Sequence, residues 1–228
     1  MDRVLAVVRV HLVSRAALFW PWAILACAFT VNLVIFGLLD DSIPTRSTGG
    51  LMSIYIVFIF SGQGISQYFP YALGMSISRT TFYLATSLVT IGMSIAFGLG
   101  IYLLSLLEEA TGGWGMHLHF YRLAFMNTGN PLTQILVYIV PFLTLGFTGT
   151  FYAVVLRRWG VNGIYALTIA AIIASGGAAA LITWRPGWQT IANWFTDEST
   201  VALIVGWPSV IAALLAIVGY ASLRRATA

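Results

Sequence analysis

The chain has 228 residues, of which 59% are hydrophobic and only 8% are charged, and its formal net charge is +4. These values exclude an ordinary soluble domain with a charged surface and indicate an integral membrane protein, organised as one transmembrane domain over residues 1–228. Lysine is absent, so all 11 Lys or Arg residues are arginine. A phosphate-binding P-loop, a Schiff-base site and a lysine general base are therefore excluded, and ATP hydrolysis would require another chain.

Residues 1–17 place arginines among apolar residues at helical spacing, with Arg3 and Arg15 on one face. The pattern predicts a basic amphipathic helix lying on an anionic leaflet, or simply a positive flank that orients the first span. The single cysteine, Cys27, lies inside an apolar run and is interpreted as a small hydrophobic residue.

Uncharged apolar runs of about 20 residues are long enough to cross a hydrocarbon core of roughly 30 Å as a helix. The sequence therefore predicts an all-α membrane protein with six spans, and Pro141 and Pro208 are predicted to kink the fourth and the sixth. The predicted spans are approximately 18–39, 51–69, 83–107, 132–156, 161–183 and 201–221.

The arginines orient these spans, because positive residues are enriched in cytoplasmic segments. An orientation with the N-terminus inside gives eight cytoplasmic arginines, against three outside. The eight are Arg3, Arg9, Arg15, Arg79, Arg157, Arg158, Arg224 and Arg225, and the three are Arg46, Arg122 and Arg185. Both termini of this multi-pass protein are thus predicted in the cytoplasm, and no nucleic-acid partner is predicted.

Two outer segments are longer than a turn. Residues 108–131 hold acidic residues, glycines and the pair His117 and His119, which we interpret as interfacial polar residues because the sequence offers too few further metal ligands. Residues 184–200 are rich in tryptophan, which favours the headgroup interface, and they are the candidate for a re-entrant element between the fifth and sixth spans. No metal site is predicted.

The six runs contain no Asp, Glu, Arg or His, which disfavours an ion-coupled carrier, since such carriers bury ionisable groups. No nucleophile elbow, paired-His motif or carboxylate pair indicates an enzyme either, so no catalytic residue is predicted. The candidates for lining a pathway are amides and hydroxyls: Asn32, Gln63, Gln67, Thr90 and Ser94.

The segment over residues 69–82, which we call the elbow, joins the second and third spans in the cytoplasm. Pro70 cannot donate a backbone hydrogen bond and is predicted to end the preceding run, Gly74 is predicted to permit the turn, and Arg79 is costly to place in hydrocarbon. Energy delivered by another chain would enter here. Arg79 could equally be a positive anchor that only snorkels.

These residues resemble the permease subunits of ABC type-2 exporters. The resemblance rests on the order of a basic N-terminal helix, a first span, a second span ending in Gln-Tyr-Phe-Pro at Gln67 to Pro70, and the elbow from Ala72 to Arg79. The outer sequence Ala-Thr-Gly-Gly-Trp-Gly, beginning at Ala110, is similar to a sequence in actinobacterial members, and this resemblance implies a bacterial plasma membrane.

The resemblance implies a half-transporter: a second permease subunit, identical or different, completes the pathway, and separate ATPase subunits bind ATP and Mg²⁺. The elbow would be the coupling helix that contacts the ATPase, with a lesser contact at residues 157–158. The implied coupling residues are Phe69, Pro70, Tyr71, Leu73, Gly74, Met75, Ser76, Arg79, Phe82, Arg157 and Arg158. The exported substrate would be hydrophobic or amphipathic, such as a drug, antibiotic, peptide or lipid. The alternatives are a non-transporting sensor, immunity or scaffold protein and, third, an ion-coupled carrier.

Overall fold

A computed structural model describes residues 8, 15–38, 46–59, 64–185 and 187–224. The predicted interfacial helix over residues 1–17 lies almost wholly outside these ranges. So does Gln63, and the side chain of Gln67 is likewise not described.

The described chain is built almost entirely from helices, which confirms the all-α prediction. Its α-helices are α1 (Arg15–Leu38), α2 (Met52–Ile59), α3 (Gly64–Gly74), α4 (Arg79–Ala110), α5 (Pro131–Trp184), α6 (Trp188–Asp197) and α7 (Trp207–Arg224). Shorter elements are a π-helical turn at Gly113–His117, a 3-10 turn at Ala124–Met126, a π-helical turn at Ala202–Gly206, and strands β1 (Arg46–Ser47) and β2 (Leu118–His119).

Four of the described helical segments are long and apolar enough to cross a membrane: Leu18–Leu38, Arg79–Ala110, Pro131–Trp184 and Ala202–Arg224. The structure therefore has the character of a membrane protein, but it does not confirm six spans. Three predicted spans account for the difference. The fourth and fifth share the long helix α5, and the second falls on the two short helices α2 and α3.

The long helix α5 has 54 residues and contains Gly160, whose backbone is non-helical at φ 67° and ψ −162°. Only glycine adopts this combination without a steric penalty. Gly160 lies where the sequence predicts the loop between the fourth and fifth spans. A backbone break takes the place of that loop, so Arg157 and Arg158 lie in helix one turn before it.

The second predicted span, 51–69, coincides with α2 and the first half of α3. Helix α2 buries Ile54, Tyr55 and Phe58, whereas α3 runs five residues past the predicted end. Pro70 lies inside α3, so the prediction that it ends the run is wrong. Proline is tolerated here because only the proline's own N–H is missing and the flanking turns remain helical.

An aromatic core joins α1, α2, α4 and α5. Trp22 stacks on Phe97 with ring centroids 5.1 Å apart, and Phe58 lies 5.4 Å from Phe97 and 5.0 Å from Phe142. The three phenylalanines are at most 1% exposed. Aromatic pairs at such distances add about 0.5–1.5 kcal/mol each beyond area burial, so this cluster fixes how the four helices pack.

Helix α7 is held to the others by hydroxyl groups that donate to its backbone. The Tyr83 hydroxyl donates to the carbonyl of Ala216 at 2.7 Å, and the Thr144 hydroxyl donates to that of Pro208 at 3.0 Å. Interhelical bonds of this kind contribute about 0.6–2 kcal/mol in membranes. They position the C-terminal end of α7 beside the start of α4.

Candidate functional site

The elbow contains a tight turn between α3 and α4 that is closed by backbone hydrogen bonds. The amide of Ile77 donates to the carbonyl of Ala72 at 3.0 Å, and the amide of Ser76 donates to that of Leu73 at 3.0 Å. These two bonds are the Schellman pattern that ends a helix on a left-handed residue. That residue is Ser76, at φ 59°, whereas Gly74 is the last residue of α3, so the turn does not depend on Gly74 as predicted.

The next helix starts immediately after this turn. Ser78 has an extended backbone, and its side chain accepts a hydrogen bond from the amide of Thr81 at 3.1 Å, which caps α4. An N-cap serine contributes about 1 kcal/mol. Only four residues, 75–78, separate the two helices, so any displacement of α3 is passed directly to α4.

A buried apolar cluster lies behind the turn, and we call it the elbow cluster. Its members come from α3, α4, α5 and α7: Phe69, Ala72, Phe82, Tyr83, Ala85, Ala153, Val154 and Leu223, with Val8, Leu73 and Ile77 packed against it. Phe69 and Phe82 meet edge to face with centroids 5.4 Å apart. Because this interior is close-packed, the ends of the four helices move as one body.

The elbow residues predicted to contact a partner divide into two groups. Phe69 is fully buried and Phe82 is 1% exposed, so both side chains are used inside this chain. In contrast, Tyr71 is 73% exposed and Met75 is 59% exposed, one helical turn apart. Pro70, Gly74 and Ser76 are also exposed, and Leu73 is half-buried. The surface that the elbow offers to another molecule is therefore formed by Tyr71 and Met75.

Arg79 has a partner within the chain. Its Nη1 donates to the carbonyl oxygen of Arg224 at 3.1 Å, near the C-terminal end of α7. The last carbonyls of a helix have no hydrogen-bond donor in their own helix, and a cation there also compensates the negative end of the helix dipole. Arg79 thus links the elbow to α7.

Arg157 and Arg158 lie beside the same cluster. The Arg157 guanidinium carbon is 5.7 Å from the centroid of the Phe69 ring, and that of Arg158 is 4.3 Å from the centroid of Trp159. The Nε of Arg157 is buried and has no hydrogen-bond partner in the described part of the chain. The structure therefore brings Arg157 and Phe69 together, although 88 positions separate them in the sequence.

Charge is divided between the two ends of the bundle. Four arginines surround the elbow cluster: Arg79, Arg157, Arg158 and Arg224. The described acidic residues lie at the opposite end, where α4 and α6 end: Glu108, Glu109, Asp197 and Glu198. This separation agrees with the arginine bias on which the predicted orientation rests.

The acidic end carries a folded cap centred on Glu108, which the sequence places in a loop but which lies in the last helical turns of α4. The Glu108 side chain is only 1% exposed. Its Oε2 accepts from the amides of Phe120 and Tyr121 at 2.9 Å and from Trp114 Nε1 at 3.2 Å, and its Oε1 accepts from the amide of Arg122 at 3.0 Å. Four donors thus surround one carboxylate, an arrangement that stabilises the charge in a buried site.

This outer cap, which we define as residues 108–130, is joined to its surroundings by further polar contacts. Residues 46–47 pair in parallel with residues 118–119, and the Tyr138 hydroxyl donates to the carbonyl of Tyr121 at 3.0 Å. The Gln134 side chain binds both Met126 and Thr128. Burial, and next the negative charge of Glu108, raise the pKa of Tyr121 to about 12.

Adjacent acidic residues of the cap differ sharply in environment. Glu109 is 56% exposed and pairs with Arg122, whose Nη2 also donates to Asn127 at 3.1 Å. Helical spacing was the one sequence signal for a buried acid. Glu108 continues the face of α4 that holds the buried residues Ile101 and Ser105, whereas Glu109 lies off that face. The loop backbone that Glu108 binds could not be read from the sequence.

The predicted pathway residues mostly bind their own helices. Asn32 Nδ2 donates to the carbonyl of Ala28 at 2.8 Å, and the Ser94 hydroxyl donates to that of Thr90 at 2.8 Å. Ser94 is fully buried, and Thr90 is half-buried, with its methyl group facing Gly146. The Asn32 and Ser94 side chains thus find their hydrogen-bond partners within their own helices, as polar groups in a hydrocarbon environment require.

The outer segment after α5 forms the short amphipathic helix α6, which has no buried residue. Trp188 and Phe195 are more than half exposed, while Trp194 packs against Trp207 with centroids 6.0 Å apart. Helix α6 therefore presents aromatic side chains outward beside the start of α7.

No metal-binding group is assembled from the described residues: no three His, Cys, Asp or Glu side chains lie together. His119 Nδ1 is 3.8 Å from Glu108 Oε1, and His117 is exposed. No protein-family model matches the chain, and no curated protein or solved structure is significantly similar to it.

Proposed function

We propose that the chain is the transmembrane permease subunit of an ABC exporter, coupled to a separate ATPase subunit that binds the elbow. The observation that carries this proposal is the pairing of two exposed apolar side chains, Tyr71 and Met75, with a rigid buried cluster directly behind them. An exposed apolar pair at a charged end of the bundle suits protein docking better than solvent exposure.

A force on Tyr71 and Met75 has three routes into the bundle. The four-residue turn carries it to α4, the contact between Phe69 and Arg157 carries it to α5, and Arg79 carries it to α7. Coupling needs such contiguous packed contacts, because a flexible loop would dissipate the displacement. Phe69, Phe82 and Arg79 are positioning residues in this scheme, whereas Tyr71 and Met75 make the contact.

The proposed arrangement has six spans in a bacterial plasma membrane, with both termini and the elbow in the cytoplasm. Helices α2 and α3 together form the second span, and the break at Gly160 separates the fourth from the fifth. A second permease subunit, identical or different, completes the pathway. The absence of charged residues from the interior of the predicted spans suits export of a hydrophobic or amphipathic substrate.

Photo-crosslinking from the elbow tests the proposal. A photoreactive phenylalanine at position 71, in the full chain in native membranes, is expected to crosslink to a protein whose sequence contains nucleotide-binding motifs. The same group at Trp184, which is 81% exposed at the opposite end, is the matched control and is expected to give no such product. Absence of an ATPase among the products from position 71 would contradict the docking assignment.

A functional test uses the complex with that ATPase. The double change Tyr71→Ser and Met75→Ser is expected to lower chain-dependent ATPase turnover at least ten-fold while leaving membrane insertion unchanged, because truncated anchors weaken an interface by 1–2 kcal/mol or more each. Transport into inverted vesicles is expected to need ATP and to survive an uncoupler. Binding without flux would favour the sensor or scaffold alternative, and ATP-independent flux that collapses with the uncoupler would favour a carrier.

A further inference from the structure

We propose that Arg157, Arg158 and Trp159 form a binding site for the headgroup of an anionic phospholipid, distinct from the docking surface at Tyr71 and Met75. The proposal goes beyond the transport function and does not require it. It places the two arginines at the headgroup level of the membrane, whereas the family resemblance implies for them only a lesser contact with a partner protein.

The first argument is that the two guanidinium groups are held in place but not neutralised. Arg157 lies over the Phe69 ring at 5.7 Å and Arg158 over the Trp159 ring at 4.3 Å. Among the described residues neither arginine side chain forms an ion pair or a hydrogen bond, and Arg157 Nε is buried without a partner. Buried polar nitrogens are nearly always hydrogen-bonded, so this one points to an acceptor that the described residues do not supply.

The second argument is the surroundings of the pair. All described acidic residues lie at the opposite end of the bundle, and the other charged residues described near this site are Arg79 on α4 and Arg224 on α7. The region is therefore electrostatically complementary to an anion. Arginine is well suited to phosphate, because its planar donors bind two oxygens at once.

The third argument selects a lipid rather than a soluble anion. Trp159 is 49% exposed and directly precedes the break at Gly160, which ends the first apolar stretch of α5. Exposed tryptophan at the end of a membrane helix marks the headgroup level. Arginines at this level attract anionic lipids, each contributing a factor of about five in partitioning.

Quenching of Trp159 by brominated lipids tests the assignment. The full chain is reconstituted in phosphatidylcholine vesicles containing increasing fractions of brominated phosphatidylglycerol or, separately, brominated phosphatidylcholine. Subtracting the signal of Trp159→Phe isolates the quenching of Trp159, and phenylalanine keeps a ring beneath Arg158. The wild-type chain is expected to prefer phosphatidylglycerol at this position about five-fold or more.

The arginine variants then locate the charge responsible. Arg157→Gln and Arg158→Gln are each expected to lower the preference about five-fold. Arg158→Lys is expected to lower it less than Arg158→Gln, because lysine keeps the charge but loses the planar pair of donors. Arg185→Gln removes the same charge at the opposite end and is expected to leave the preference unchanged. Equal quenching of the wild-type chain by both lipids, or an equal loss in Arg185→Gln, would overturn the proposal.

Two further outcomes separate the sources of the anion. Millimolar inorganic phosphate is expected to leave the preference intact, and its loss would identify a site for free phosphate and overturn the lipid assignment. If the arginine variants lower ATPase turnover with an unchanged lipid preference, the pair belongs to the protein interface instead. The proposed transport function is tested at Tyr71, so its failure would leave the lipid result standing.

Discussion

Replacing Glu108 by glutamine removes a negative charge from a buried site that contains four hydrogen-bond donors. The amide group has only one oxygen. If that oxygen takes the place of Oε2, the amide nitrogen faces the backbone N–H of Arg122, so two donors oppose each other and one buried N–H stays unpaired. The three retained bonds also lose their charge assistance.

The expected cost follows from these bonds. A hydrogen bond to a charged group contributes about 1.5–3 kcal/mol, and an unsatisfied buried group costs about 1–3 kcal/mol, so Glu108→Gln is expected to destabilise the outer cap by about 2–4 kcal/mol. Glu109→Gln is the matched control, because Glu109 is half-exposed and its ion pair with Arg122 contributes about 0–1 kcal/mol.

Amide hydrogen exchange with the chain in lipid nanodiscs measures this difference locally. The amides of Phe120, Tyr121 and Arg122 are protected by Glu108, so Glu108→Gln is expected to speed their exchange about 30-fold or more, as 2 kcal/mol requires. Amides in the middle of α4 are expected to keep their rates. A change below about three-fold at the three cap amides, or an equal change in Glu109→Gln, would refute the reasoning.

Three further predictions concern the backbone of the elbow, the packing of α4 and the titration of Tyr121. Ser76→Gly is expected to stabilise the elbow by about 1 kcal/mol, because residue 76 has φ 59° and glycine adopts this angle without strain. Gly74→Ala is expected to be tolerated, since no atom lies within 4 Å of an added Cβ. Thermal unfolding measures both effects, and a lower unfolding temperature for Ser76→Gly would contradict the first. Gly98→Ala is expected to cost about 1–3 kcal/mol because the new Cβ would lie 2.7 Å from backbone on α5, and Gly92→Ala, with open space, is the control in the same measurement. Because the pKa of Tyr121 is raised to about 12, the contribution of its neutral form to stability is complete below about pH 10 and is lost as pH rises toward 12. In a spectrophotometric titration, Tyr121→Phe is expected to lack one of the tyrosines that ionise late in the wild-type chain. Identical titration curves would contradict the buried environment of Tyr121.

The elbow illustrates how far residue types lead and where they stop. Its position was predictable, because a short stretch bearing Pro70, Gly74 and Arg79 interrupts apolar sequence. The residue at the left-handed turn position was not, since Ser76 adopts φ 59° only because the amides of Ser76 and Ile77 find acceptors in the preceding turn. Local propensity favours Gly74, and hydrogen bonding with packing of Ile77 overrides it.

The spans show a similar division. Apolar length predicted helices correctly over residues 18–38, 79–110 and 202–224 to within a few residues. It could not show that α5 continues to Gly160 without a loop, because a helix broken at one glycine and two helices joined by a short loop have the same hydropathy. The positions of the helices were predictable and the break at Gly160 was not, because hydropathy measures transfer into lipid and carries no information on a single backbone angle.

By itself the sequence determined the membrane character and the helical class, since these depend on the summed cost of placing residue types in hydrocarbon, and its arginine bias predicts the orientation. The tertiary structure decided which side chains are used internally and which are left for partners. Phe69 is turned inward, Arg79 binds the end of α7, and Tyr71 and Met75 are turned outward. Glu108 is buried beneath a loop whose backbone it binds. The physical reason is that burial and hydrogen-bond partners arise from contacts between segments distant in the chain, which no local pattern encodes.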